Sequence, residues 1–152
     1  MQAREKLLGT WHLRRWQIRY GDGRAVTYPY GANANGLILY TSDGFMSACI
    51  ATDNRPLLGS ASVRSAPQSQ QVAAFATYFQ YAGRFSVQAA PASPSGWQVV
   101  HHVSHSLNPN FVGTEQVRNM VWGADGSLTL SASDTVPGSE VARHHELQWS
   151  RA

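Results

Sequence analysis

With 152 residues, 43% of them hydrophobic and 14% charged, the chain is long enough to bury a core and too apolar for a disordered segment. Its net charge of +3 comes from basic residues scattered along the chain apart from Arg14-Arg15, without the concentrated patch that phosphate neutralisation requires, so no nucleic-acid partner is expected. The single Cys49 excludes an intramolecular disulfide and a cysteine metal cluster. No long apolar run marks a signal peptide or membrane span, so a reducing cytoplasm is the expected compartment.

Five Trp, six Tyr, five Phe and 13 Gly suit short strands joined by tight turns. A short helical lead-in over residues 1–8 opens into a strand from Gly9 to Tyr20. Trp11 and Leu13 share one parity, and Trp16, Ile18 and Tyr20 the other. A single flip predicts a β-bulge, and with it the curvature a closing sheet needs. After the Gly21-Asp22-Gly23 turn come a short strand through Tyr28 and a loop through Gly36. Residues 36–41 and 45–51 form the clearest hairpin, with Gly44 supplying the positive φ of its turn; Cys49 reads as a small core residue of it.

Residues 52–69, rich in Ser, Pro and Gln, read as a long loop bordering the cavity mouth. Val72, Phe75, Ala76 and Phe79 fall at helical spacing and predict a helix over 70–81, placed to cover one end of a barrel. Strands are expected at 84–88, 97–104, 114–122, 127–132 and 142–150. The total, about nine strands and one helix, predicts an all-β antiparallel barrel in a single domain over residues 1–152. Its expected core includes Trp11, Leu13, Leu37, Leu39, Val99, Val103, Leu128, Leu130, Leu147 and Trp149.

Specific motifs carry a resemblance across residues 7–151. They are Leu8-Gly9-Thr10-Trp11 with Leu13 and Trp16, the Tyr28-Pro29-Tyr30-Gly31 turn, Gly36 with Leu39-Tyr40, and Asp43-Gly44 with Met46-Ser47. Further on come His101-His102-Val103, Ser106-Leu107-Asn108-Pro109-Asn110, and Gly113-Thr114-Glu115-Gln116 with Arg118. Together these resemble the bacterial and fungal lipocalin-like domain proteins, with Phe111 where Trp is common. The resemblance implies an up-and-down barrel around a cavity for a small apolar molecule. It also implies a setting in specialised metabolism, where such a barrel binds or cyclises a polyketide-like substrate.

In the strand from Trp97, Val99, His101 and Val103 share the apolar face, so His101 is expected to point inward and His102 outward. An inward imidazole can hold a ligand oxygen or act as acid or base; the alternative is a core histidine satisfied by one hydrogen bond. Arg118 shares parity with Gln116, Met120 and Trp122, and could recognise a carboxylate, an enolate or a carbonyl. Its alternative role is to hold the 108–113 turn. Tyr30, Tyr40, Tyr78 and Tyr81 offer hydroxyls at a cavity mouth. Tyr30, Tyr40, Met46, Tyr81, His101, Gln116, Arg118 and Met120 form the expected ligand-binding set.

Five of the six histidines, His101, His102, His105, His144 and His145, are numerous enough to raise a metal site. Neighbours on a strand point to opposite faces, however, and no helical HExxH motif supports it, so no metal and no cofactor are expected. Three functions follow: a cavity protein for a small apolar ligand with a polar handle; a cofactor-free isomerase or cyclase with His101 and Arg118 as catalytic residues; and a filled barrel acting as an interaction module. A homodimer stays open as a partner.

Overall fold

The computed structural model describes residues 2–152. Eight strands, each antiparallel to the next, close into a barrel in sequence order: β1 (Gly9–Tyr20), β2 (Asn35–Tyr40), β3 (Phe45–Ala51), β4 (Tyr78–Ala89), β5 (Trp97–Ser106), β6 (Glu115–Trp122), β7 (Leu128–Thr135) and β8 (Ala142–Arg151). β8 pairs back onto β1 to close it, Trp11 opposite Arg151 and Tyr20 opposite Arg143. The expected bulge is there, a register shift between Leu13 and Arg15. It carries the inward parity from Trp11 and Leu13 over to Trp16 and Ile18.

A second bulge, between Ala82 and Gly83, lies where β4 meets β5. Gly83 is required there, because a Cβ would sit 1.9 Å from the His102 carbonyl oxygen. In the β2–β3 hairpin Gly44 adopts φ 94°, as its turn demands.

The barrel has one stoppered end. Helix α1 (Ala3–Leu7) tucks a fully buried Leu7 beneath it, and the Trp11 indole donates to the Leu7 carbonyl at 2.9 Å. The Arg151 guanidinium bonds the carbonyls of Lys6 and Leu8 and lies 3.9 Å from the centre of the Trp11 ring. Lys6 covers Trp122 from 4.6 Å. At the opposite end the β1–β2, β3–β4, β5–β6 and β7–β8 connections surround a mouth.

Several expectations are corrected. Strands number eight rather than nine, since residues 24–28 contribute only an isolated bridge, Thr27 to Ile18. Leu37 and Leu39 do not enter the core: Leu39 is 38% exposed, while Ile38 and Tyr40 are buried. Both residues of each pair suit a strand, and pairing with β1 and β3 decides which parity faces inward. By the same logic Cys49 lies opposite in parity to the buried Met46, Ala48 and Ile50, and is only half-buried.

The helix runs over α2 (Gln68–Ala76) rather than 70–81 and does not bury its apolar face, with Val72 and Phe75 more than half exposed. Thr77 ends it, turning its hydroxyl back to the Ala73 carbonyl. Residues 78–81 instead start β4, because Tyr78-Phe79-Gln80-Tyr81 alternates at period two and finds partners on both β3 and β5. No helix among the described residues is long and apolar enough to cross a membrane.

Candidate functional site

The mouth opens into a cavity of about 450 Å³ inside the barrel. Its wall follows from strand parity. β8 turns Arg143, His145, Leu147 and Trp149 inward; β6 contributes Gln116 and Arg118; β4 and β5 contribute Phe79, Tyr81 and His101. Ile38, Ile50 and Leu130 complete its apolar side. The short 3₁₀ turn Pro109–Phe111, capped where the Asn108 side chain accepts from the Asn110 N–H at 3.0 Å, folds Phe111 across the mouth towards Phe79 and Tyr81.

His101 is the deepest polar group, 1% exposed, and both ring nitrogens are engaged. Tyr40 Oη lies 2.7 Å from Nε2 and Tyr81 Oη 2.6 Å from Nδ1. Burial first, then the nearby charge of Arg118, pushes His101 down to about 3, so the ring is neutral at physiological pH. Burial likewise holds the Tyr40 hydroxyl well above its ordinary value, and the Tyr81 hydroxyl above its own. A neutral imidazole offers one N–H and one lone pair, so one tyrosine donates to it and the other accepts from it.

Arg118 faces the cavity from β6. Its Nη1 donates to the Val117 carbonyl at 2.8 Å and its Nη2 to Gln116 Oε1 at 3.4 Å. It makes no bond to the 108–113 turn; Gln116, through Nε2 to Thr114 Oγ1 at 2.9 Å, is the side chain that reaches that side. Nearer the mouth, Asp134 takes two bonds from Arg143, Nε at 2.8 Å and Nη2 at 2.6 Å, and lies 3.4 Å from His145 Nε2. The Trp16 indole donates to His145 Nδ1 at 3.4 Å. His145 is therefore protonated on Nε2, and burial holds its pKa below the ordinary imidazole value.

The expected ligand-binding residues divide by position. Tyr81, His101, Gln116 and Arg118 line the cavity together. Tyr40 stands behind His101, while Met46 and Met120 are packed into the core towards α1. Tyr30 packs at a tilt against Trp16 with ring centres 5.2 Å apart, outside the wall. Tyr78 sits on the barrel's exterior beneath Arg55. His102 points outward to Glu115, 3.2 Å away, and to Ser86. None of residues 52–69 lines the cavity wall, although the β3–β4 connection that holds them lies at the mouth end of the barrel. Among the described residues no three His, Cys, Asp or Glu side chains gather as metal ligands would.

Sequence reasoning missed Asp134, Arg143 and the role of His145. The expected strand 127–132 stops short of Asp134, whereas β7 runs to Thr135 and pairs Asp134 with Arg143 across the hairpin. Inward parity from Trp149 through Leu147 was the available signal for both His145 and Arg143.

A family model described as a lipocalin-like domain matches residues 8–152. No curated protein matches the chain.

Proposed function

We propose, from the premise that the chain belongs to the lipocalin-like domain family, that the barrel binds a small, mostly apolar molecule with one polar handle. The observation that carries this reading is the cavity itself: about 450 Å³, walled mainly by aliphatic and aromatic side chains, with a few polar groups converging from β4, β5 and β6. Such a volume is the alternative to a barrel filled by its own side chains. The motifs around residues 28–47 and 101–118 support a setting in specialised, polyketide-like metabolism. Scattered surface charge supports a small-molecule partner over a nucleic acid.

Binding is favoured over acid–base catalysis by His101. A general base works best with a pKa near the operating pH, whereas this ring is held at about 3 and both its nitrogens are occupied. The neutral probe N-phenyl-1-naphthylamine tests the reading directly. Its fluorescence should saturate at one site per chain. Ala132, on the cavity wall, offers a way to block that site: Ala132→Trp should weaken the probe by about tenfold or more and leave the melting temperature nearly unchanged. No saturable binding by fluorescence or native mass spectrometry would refute the proposal.

A further inference from the structure

We infer that the ligand's polar handle is an anionic oxygen, a carboxylate or enolate, seated against the Arg118 guanidinium with the Tyr81 hydroxyl as a second donor. This rests on the cavity-binding reading above and names the class of ligand it serves.

On the cavity wall the acceptors of Gln116, His145 and Asp134 each already hold a bond. Gln116 Oε1 accepts from Arg118, His145 Nδ1 from Trp16, and Asp134 from Arg143. Both nitrogens of His101 are taken by tyrosines. What is left over is donors. Arg118 carries five N–H groups, of which two are used within its own strand. The indole N–H of Trp149, on the same wall, is buried with no acceptor.

The third donor comes from counting hydrogens between Tyr40, His101 and Tyr81. Two hydroxyls and one neutral ring bring three hydrogens to two hydrogen bonds, so one hydroxyl hydrogen must point elsewhere. Tyr40 is 2% exposed with the Phe85 ring 4.9 Å from its own, and it has no other hydrogen-bond partner. Tyr81 lines the cavity. The arrangement that strands no hydrogen in the core has Tyr40 donating to Nε2, Nδ1–H donating to Tyr81, and the Tyr81 O–H turned towards the ligand.

Charge selects among acceptors. Arg143 is neutralised by Asp134 and the two histidines are neutral, but Arg118 has no carboxylate partner among the described residues. An unpaired guanidinium surrounded by apolar wall favours an anion over a neutral carbonyl, and it repels an amine.

A matched pair of probes separates this inference from the reading beneath it. 8-Anilinonaphthalene-1-sulfonate and N-phenyl-1-naphthylamine share one body and differ by a sulfonate, which stands in for the anionic oxygen. The sulfonate should bind wild-type protein roughly tenfold to a hundredfold more tightly. Arg118→Met should erase that preference while leaving the neutral probe unaffected, Arg118→Lys should keep part of it, and Tyr81→Phe should reduce it by a smaller factor. Equal or tighter binding of the neutral probe, or a preference that survives Arg118→Met, would overturn the inference and leave the cavity reading standing. If neither probe binds, both fall together.

Discussion

Replacing Trp11 with alanine should lower the stability of the fold by about 3–5 kcal/mol, a large share of what a domain of this size possesses. The side chain is 1% exposed and sits where three structures meet: β1, the Trp122 ring 5.9 Å away on β6, and helix α1 through its indole bond to Leu7. Truncation removes the aromatic volume and leaves the Leu7 carbonyl without its donor. It also takes away the surface on which Arg151 rests. Urea unfolding should show a lower midpoint with an unchanged slope, and melting should fall by roughly 2–4 °C for each kcal/mol lost. Trp97, 40% exposed, gives the contrast: its alanine variant should stay within about 1 kcal/mol of the parent. A melting curve indifferent to Trp11→Ala would place that ring outside the core.

Acidification from pH 7 to pH 4 should destabilise the protein through His101. The ring titrates at about 3 in the fold against an ordinary value of 6.5. Between those limits the unfolded chain binds a proton that the folded chain refuses, so stability is complete above about pH 6.5 and falls as pH drops towards 3. Over the whole window the loss is on the order of 4 kcal/mol. His145, also held low, adds a contribution of the same sign. The carboxylates of Asp134 and Glu146 are lowered from 3.8 and 4.5, so their contributions are lost only as pH falls below those values. Urea midpoints at pH 7, 6 and 5.5 therefore isolate the histidines. His101→Gln should be less stable than wild type at pH 7, because the tyrosine hydroxyls lose matched partners, yet lose much less on acidification. A parallel decline in the two proteins would show that His101 is not the titrating group.

Strand periodicity carried most of this architecture. The parity flip between Leu13 and Trp16 reads directly as the β1 bulge, and the alternation at Val99, His101 and Val103 sends His101 inward and His102 to Glu115. Where a segment satisfies two periods at once, local pattern fails. Phe79 lies at helical spacing from Phe75 and at strand spacing from Tyr81, and only the partners offered by β3 and β5 settle the choice. Leu37-Ile38-Leu39-Tyr40 is ambiguous in another way, because apolar residues occupy both parities. The site was partly legible for the same reason. His101, Gln116 and Arg118 follow from parity along single strands, whereas the Tyr40–His101–Tyr81 chain joins three strands whose register no single strand reveals. Asp134 and Arg143 depended on the length of β7, and strand ends are where pattern is weakest.

The seam between β1 and β8 bears on how the chain reaches this state. Every other ladder joins strands that follow one another in sequence, so each can zip from its own connection with a modest loss of loop entropy. The seam brings Trp11 opposite Arg151 and must gather nearly the whole chain to do so. Its contacts become worthwhile only once the intervening hairpins have shortened the effective span, which makes closure a late event and the barrel a slow folder for its size. Stability built along that seam then acts on the rate of unfolding rather than of folding.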